Sequence, residues 1–337
     1  MSITRYILRR LLLIVPVIIG ITMLTFALSH IVPGDPARLA AGPQAPESTY
    51  LQIREQFGLD KPLPVQYWNY VSGLVQGDWG DSILSRRPVL NDLKVFFSAT
   101  LELVLLAMAI AIAVGIPLGI LSAVKADHMP DHIARIVSLV GVSVPAFWLA
   151  LLLQLFFGLK LGWLPIGSRL DALTAAPTNI TGMYLLDSVL TWNWPVFWEA
   201  LRHIALPALT LSLASLATIS RFTRASLLEV LGQDYVRTAR AKGLAERGVI
   251  VKHAMRNAFI PTLTMIGLSF GWSMGGSVLV ETVYDWPGIG LYATKSALTL
   301  DFMPIIGIAL LYGIVFSLIN LVVDIAYGFL DPRVGHA

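Results

Sequence analysis

Gly267-Leu-Ser269-Phe-Gly271 has the G-x-S-x-G spacing of a nucleophile elbow, in which a sharp strand-to-helix turn lifts a serine toward a histidine and an acid. Here the five residues lie inside an apolar run, and Gly267, Gly271 and Gly275 alternate with Ser269, Ser273 and Ser277 at four-residue intervals. Small residues at that period let helices approach closely, so the stretch reads as a packing face. No histidine lies in a neighbouring apolar run at similar depth to complete a hydrolase. Gly288-Ile-Gly290-Leu-Tyr-Ala293 imitates a dinucleotide fingerprint, yet no βαβ pattern surrounds it and no acid follows about 20 residues later. Asp127-His128-Met-Pro-Asp131-His132 gathers two His and two Asp, but a metal site wants His at i and i+4 on an unbroken helix, or a third ligand. With Pro130 between them, a solvated turn is expected. No G-x-x-x-x-G-K-[ST] phosphate loop occurs, so nucleotide is not bound by this chain. No catalytic residue, metal or cofactor is expected.

Two sets of residues keep a claim on function. The first is the stretch Asp234 to Pro261, which carries Arg237, Arg240, Lys242, Arg247, Lys252 and Arg256 against Asp234 and Glu246 and lies between two apolar runs. A basic, partly helical block between two spans belongs on the cytoplasmic side, open to a soluble partner. Within it, Ala239 and Ala241 leave room for close packing, and Gly243 supplies a turn that a side chain would obstruct. The second set is Glu102, Gln154, Ser317, Asn320 and Asp324, polar groups within or bordering apolar runs. Such groups face a protein interior or a water-filled path, so they read as interhelical polar contacts or as a translocation route. Ser317, Asn320 and Asp324 share one helix face by i, i+3, i+7 spacing.

The elements that must position these residues are membrane spans. Of 337 residues 56% are hydrophobic and 13% charged, with a mean hydropathy of +0.71. An average soluble domain is about a quarter charged, so the chain reads as an all-α polytopic membrane protein. The formal charge of +3 sits in basic residues flanking apolar runs, a topology signal and not a nucleic-acid stripe. With no cysteine, disulfides and thiolate sites are excluded. Spans are expected at about Leu11–Leu28, Leu101–Val124, Ile133–Leu161 with an interruption at Pro145, Ile204–Ile219 broken by Pro207, Ile260–Val280 and Met303–Tyr327. The first is too long for a signal-peptide core and lacks a cleavage site, so it is expected to be retained. Gly115 and Gly119 predict close helix packing, with a kink at Pro117. Six transmembrane helices place both termini on one side. The 24 Lys and Arg concentrate on that side, eight of them between Arg221 and Arg256, so N and C termini are expected to be cytoplasmic. The organisation is then residues 1–30, cytoplasmic N-terminus and first span; 31–96, an extracytoplasmic segment with a helical stretch at Leu51–Leu59; 97–328, a five-span core with the cytoplasmic loop 221–257; and 329–337, a cytoplasmic tail. Trp163, Trp192, Trp194 and Trp198 suit the outer membrane interface.

Arg237-Thr-Ala239, then three residues, then Gly243 resembles the EAA-x3-G signature of ABC importer permeases. The resemblance extends along the chain: Leu8-Arg9-Arg10, Ile31-Val-Pro-Gly34-Asp35-Pro36, Ala99-Thr-Leu-Glu102, Gly115-Ile-Pro-Leu-Gly119, Asp234-Tyr235 through Gly243-Leu244, Arg256-Asn257 to Pro261, Glu281 to Gly288 and Asn320 to Asp324 are similar to the B-type permease of the dipeptide/oligopeptide (peptide/nickel) transport family. Arg237 stands where the general signature has Glu, and a Leu-Pro expected about 13 residues after the glycine is replaced by Arg256. The resemblance implies a type I ABC importer permease fold in the bacterial inner membrane, with alternating access. Tyr235, Arg237, Ala239, Arg240, Lys242, Gly243 and Leu244 would form the ATPase-coupling loop. The implied partners are a homologous second permease subunit, two ATPase subunits that bind ATP, an extracytoplasmic substrate-binding protein and membrane lipid. The implied substrate is a di- or oligopeptide, with a nickel complex, glutathione or haem as alternatives within the family. An ion-coupled secondary transporter is the rival outside it, although neither an internal repeat nor midplane carboxylates support it.

Overall fold

Long apolar runs leave the backbone no water to bond with, and the helix satisfies it internally. The computed structural model describes residues 3–31, 36–41, 45–56 and 58–330. Among them every extended element is helical, and an antiparallel bridge between Asp81 and Pro88 stands outside the helices. In chain order the helices are α1 (Ile3–Ile31), α2 (Pro36–Ala41), α3 (Glu47–Gln56), α4 (Leu63–Gln76), α5 (Val89–Val124), α6 (Met129–Ser143), α7 (Ala146–Leu153), α8 (Tyr184–Leu190), α9 (Trp194–Leu231), α10 (Asp234–Ala241), α11 (Glu246–Gly248), α12 (Met255–Val283), α13 (Ile289–Leu298) and α14 (Phe302–Leu330). Wide π-helical turns continue α7 to Lys160 and lead into α12 from Val249. The expected exit at residues 32–35 and the tail at 331–337 lie outside the described residues.

Among the described residues four helices are long and apolar enough to cross a membrane: α5, α9, α14, and α12 with the turns leading into it from Glu246. The pair α6 and α7, bent by 104° where Pro145 follows Val144, makes a fifth candidate. The interruption expected at Pro145 is therefore a sharp corner between two helices. Pro207, by contrast, breaks nothing: α9 begins ten residues earlier than expected and runs through it for 38 residues. A proline inside a membrane helix forfeits one backbone bond, which neighbouring groups compensate.

The residues form two compact units. Of the described residues, one comprises 96–291 with 3–8 and 318–330, and the other those within 9–95 and 292–317. In the first, α9 is the central helix, packed against α6, α7, α8 and α12. Asn193 caps its N-terminus, its side chain accepting from the Val196 amide at 3.4 Å. Gly115 and Gly119 of α5 lie against α9 so closely that an added Cβ would stand 2.9 Å from the Leu216 carbonyl oxygen and 2.6 Å from that of Ser220. The close packing expected from the sequence is therefore present. Because both obstacles are backbone, Gly119→Val should lower stability by roughly 1–3 kcal/mol, seen as earlier thermal unfolding in detergent.

In the second unit α4 lies along α1. Tyr67 and Tyr70 meet Thr22 and Thr25 through hydroxyl hydrogen bonds of 2.9 and 3.2 Å. Asp301 accepts from the Ser82 hydroxyl at 2.7 Å and the Leu84 amide at 3.0 Å. The Tyr292 hydroxyl donates to Asp92 at 3.0 Å. The ties of Asp301 and Tyr292 join parts of the unit 200 to 219 positions apart in sequence.

Candidate functional site

The polar end of α9 leads through Gly232 into α10, an eight-residue helix whose two faces differ completely. Val236 and Ala239, one turn apart, are buried with Val249, and Val230 and Leu231 pack on them. Full burial of one valine side chain is worth about 2 kcal/mol, so the helix is fastened by its underside to the end of α9 and to the turn before α12. The opposite face is exposed and holds Asp234, Tyr235, Arg237, Thr238, Arg240 and Ala241, followed by Lys242, Gly243 and Leu244. A second apolar cluster, Ala123, Leu227, Ile250, Ala254 and Ala258, ties the ends of α5 and α9 to the start of α12 just beside it.

The helix stops by a paired hydrogen-bond motif. The Gly243 amide donates to the Arg240 carbonyl at 2.9 Å and the Leu244 amide to the Ala239 carbonyl at 3.4 Å, with Gly243 at φ +75°. This is the Schellman arrangement, in which a left-handed residue after the helix satisfies its last carbonyls. The reason for glycine differs from the one expected. An added Cβ would meet nothing within 4 Å, so the requirement is handedness of the backbone and not clearance.

Among the charges, Arg240 forks onto Glu246 at 2.6 and 3.1 Å, and this carboxylate pushes the guanidinium pKa further up. Arg237 pairs loosely with Asp234 at 3.4 Å. The Tyr235 hydroxyl accepts from Asn257 at 2.8 Å, joining α10 to the start of α12. Both Arg240 and Glu246 are about half exposed, so solvent screens the pair and it adds little to stability. Glu246→Gln should therefore leave the unfolding temperature within about 2 °C of the parent, checked by thermal scanning. Arg240 and Lys242 then remain available as cations.

The polar residues of the spans are placed in different ways. Glu102 is buried and meets Arg169 at 2.6 Å, while its other oxygen accepts from the Leu185 amide at 2.6 Å. Gln154 donates to the carbonyls of Ile166 and Val283 at 2.6 and 3.1 Å. Ser317 donates to the Gly313 carbonyl within its own helix at 2.8 Å. Asn320 and Asp324 are half-buried on α14. Glu102 and Gln154 thus act as ties to the segment between α7 and α8, and the structure does not gather the five residues into one site.

Among the described residues five buried carboxylates were not among the candidates: Asp92 and Asp301 of the second unit, and Asp131, Asp187 and Glu281 of the first. Asp131, expected in a solvated turn, is fully buried. It accepts from Ser122 at 2.5 Å, from Arg224 at 2.7 and 2.8 Å and from the Asp127 amide at 2.9 Å. Proline does not break this helix; Pro130 lies in its first turn, where a missing N–H costs nothing. Asp187 is buried in the first turn of α8, accepting from the amides of Ile180, Thr181 and Gly182 in the loop before it. Glu281 is buried at the end of α12, taking the Thr100 hydroxyl at 2.7 Å and the amides of Gly290 and Leu291 at 2.6 and 3.1 Å. An added Cβ on Gly288 would stand 2.5 Å from Glu281 and from Thr100. The glycines that imitate a dinucleotide fingerprint therefore seat a carboxylate of the chain itself at the start of α13, the same dipole logic applied to an internal anion. Ser269 is buried within α12 and Gly267 packs on Val323, as a helix-packing face requires.

An all-helical fold that, among the described residues, has four or five membrane-spanning candidates, with an exposed, anchored basic helix between two of them, is that of a multi-pass membrane protein. The chain belongs to the family of binding-protein-dependent transport system inner membrane components, which matches residues 115–336, while the N-terminal component of such systems matches residues 3–90. The probable D,D-dipeptide transport system permease protein DdpB of Escherichia coli K12 is 47% identical over 323 residues, 96% of this chain and 95% of that protein. The dipeptide transport system permease protein DppB of Alkalihalophilus pseudofirmus is 41% identical, with 98% of each chain covered. The glutathione transport system permease protein GsiC of Salmonella choleraesuis is 40% identical, again over 98% of each.

Proposed function

We propose that this chain is the membrane-spanning permease subunit of an ATP-driven importer of di- or oligopeptides in the bacterial cytoplasmic membrane. Relatives named for dipeptide transport at 41–47% identity support the substrate class. The observation that carries the mechanism is α10: an apolar underside fixed to the end of α9 and the start of α12, and an exposed face that none of the described residues covers. In this reading α1, whose Leu11–Ala27 stretch is apolar, is a sixth span, and both termini are cytoplasmic with α10.

The exposed face, Tyr235, Arg237, Arg240, Lys242, Gly243 and Leu244, seats on an ATPase subunit, and Ala239 anchors it from below. The permease pairs with a homologous second permease, and two ATPase subunits hydrolyse ATP. Closure of the ATPases on ATP moves α10 and, through its apolar anchor, the ends of α9 and α12. This shifts the spans between inward- and outward-facing states, and ATP acts by binding the closed state better. A substrate-binding protein delivers peptide on the extracytoplasmic side, to which residues 31–96 are assigned. Glu102, Gln154, Ser317, Asn320 and Asp324 are proposed either as interhelical polar contacts or as part of the translocation path. The relative named for glutathione transport favours a second ligand of the same chemistry, a small γ-linked peptide.

Reconstituted vesicles holding the complete complex test the reading with labelled dipeptide, glutathione and the binding protein. ATP-dependent uptake of either peptide is expected. Uptake that persists without the ATPase subunits and follows a proton or sodium gradient would overturn it.

A further inference from the structure

The segment between α7 and α8 is clasped to α9 around a set of side chains with metal-ligand chemistry. Glu199 and His203 lie one turn apart on α9, and Asp171 faces them from the segment; one ligand atom from each lies within 4.8 Å of the others. The surroundings are already bonded in a way that leaves the centre open. His203 Nδ1 donates to the Gly167 carbonyl at 2.8 Å. Glu199 accepts the Asp171 amide at 2.9 Å on one oxygen and the Thr174 hydroxyl at 3.0 Å on the other. The His203 side chain is 3% exposed, and its Nε2 has no hydrogen-bond partner; the nearest acid oxygen is Asp171 Oδ1 at 3.5 Å.

An imidazole whose Nδ1–H is held by a carbonyl presents its other nitrogen as a ligand, and this arrangement is the usual support of a metal-bound histidine. Two carboxylates so close together repel unless a cation lies between them. The 3.5 Å from Nε2 to Asp171 matches the edge of a tetrahedron with bonds of about 2.1 Å, near 3.4 Å. Asp171, 76% exposed, is free to close the longer separations by side-chain rotation. One imidazole and two carboxylates suit zinc and its divalent neighbours, with water in the fourth position.

We infer that Asp171, Glu199 and His203 form a divalent transition-metal site that staples the segment before α8 to α9. The site is separate from α10 and does not depend on the transport reading. It was readable as Glu199-x-x-x-His203 on one helix face with an acid nearby, a pattern the Asp127–His132 cluster overshadowed.

The full chain, purified without a histidine tag in detergent, is stripped with chelator and titrated with Co²⁺ and then Zn²⁺. One equivalent of Co²⁺ with visible tetrahedral absorption, displaced by Zn²⁺, is expected, together with a rise in unfolding temperature. Asp171→Asn alters an exposed side chain and should fold normally; it and Glu199→Gln should each weaken binding at least about tenfold, and His203→Gln should abolish it. Absence of saturable binding, or equal affinity in the parent and in Asp171→Asn and Glu199→Gln, would overturn the site.

Discussion

Gly243→Trp should leave the chain in the membrane at near-normal levels and reduce ATP-driven peptide uptake to below about a tenth of the parent. Gly243 holds φ +75° with open space around it. A side chain therefore meets no clash, only the cost of a left-handed backbone, about 1–2 kcal/mol. That is too little to unfold a protein of this size, but it acts on the turn that presents Lys242 and Leu244. The indole also stands on the surface proposed to seat in the ATPase. ATP hydrolysis should continue without matching uptake, so the ratio of peptide moved to ATP consumed falls. Gly243→Ala is the informative companion, because alanine is small yet carries the same left-handed penalty as tryptophan. It should keep most of the uptake, whereas a purely conformational demand for glycine would make both variants equally poor. Uptake by Gly243→Trp at parental levels would remove α10 from the coupling route.

Arg169→Met should be among the most destabilising single changes in the unit that holds α9. Arg169 and Glu102 meet at 2.6 Å with side chains only 7% and 5% exposed. The guanidinium also donates to the Gly182 carbonyl at 2.9 Å and lies 3.5 Å from the centre of the Tyr184 ring. Removing one partner of a buried pair strands the other charge, at a cost of about 3–5 kcal/mol. The double change Arg169→Met with Glu102→Gln removes the stranded charge and should recover at least half of the loss, measured by thermal unfolding. Uptake should recover in parallel, because the pair is read as a fastening of the segment before α8 to α5. A double variant that regains stability but not uptake would move Glu102 onto the translocation path.

Much of this arrangement was visible in the residues. The apolar runs announced the long helices, and Gly115 and Gly119 announced the contact of α5 with α9, because small residues every four positions have few other uses in a membrane helix. Of the two alanines expected to allow close packing, Ala239 is buried and Ala241 is exposed, and Gly243 marks the helix end. Helix extents were less legible: α5 begins at Val89 and α9 at Trp194, since polar residues outside the apolar run extend a helix without disturbing its period.

The polar partnerships were hidden for a different reason. Thr100 and Glu281 are 181 positions apart, and Arg169 and Glu102 are 67. Periodicity assigns a face to a residue and says nothing of what that face meets. Asp131 was misjudged because a charged residue beside proline and histidine looks solvated, while Arg224 on another helix completes its shell. The dinucleotide look-alike shows the converse, glycines chosen to admit an internal carboxylate.

The absence of cysteine from the chain makes a direct test of the central claim simple. A single thiol is introduced as Leu244→Cys on the exposed turn, or as Leu173→Cys, a fully exposed position in the segment before α8. The purified complete importer is treated with a short thiol-to-amine cross-linker with and without ATP. The proposed function predicts a covalent adduct between Leu244→Cys and an ATPase subunit, with a yield that changes on ATP binding, and none from Leu173→Cys. An ATPase adduct from Leu173→Cys, with Leu244→Cys unreactive toward the ATPase, would contradict it.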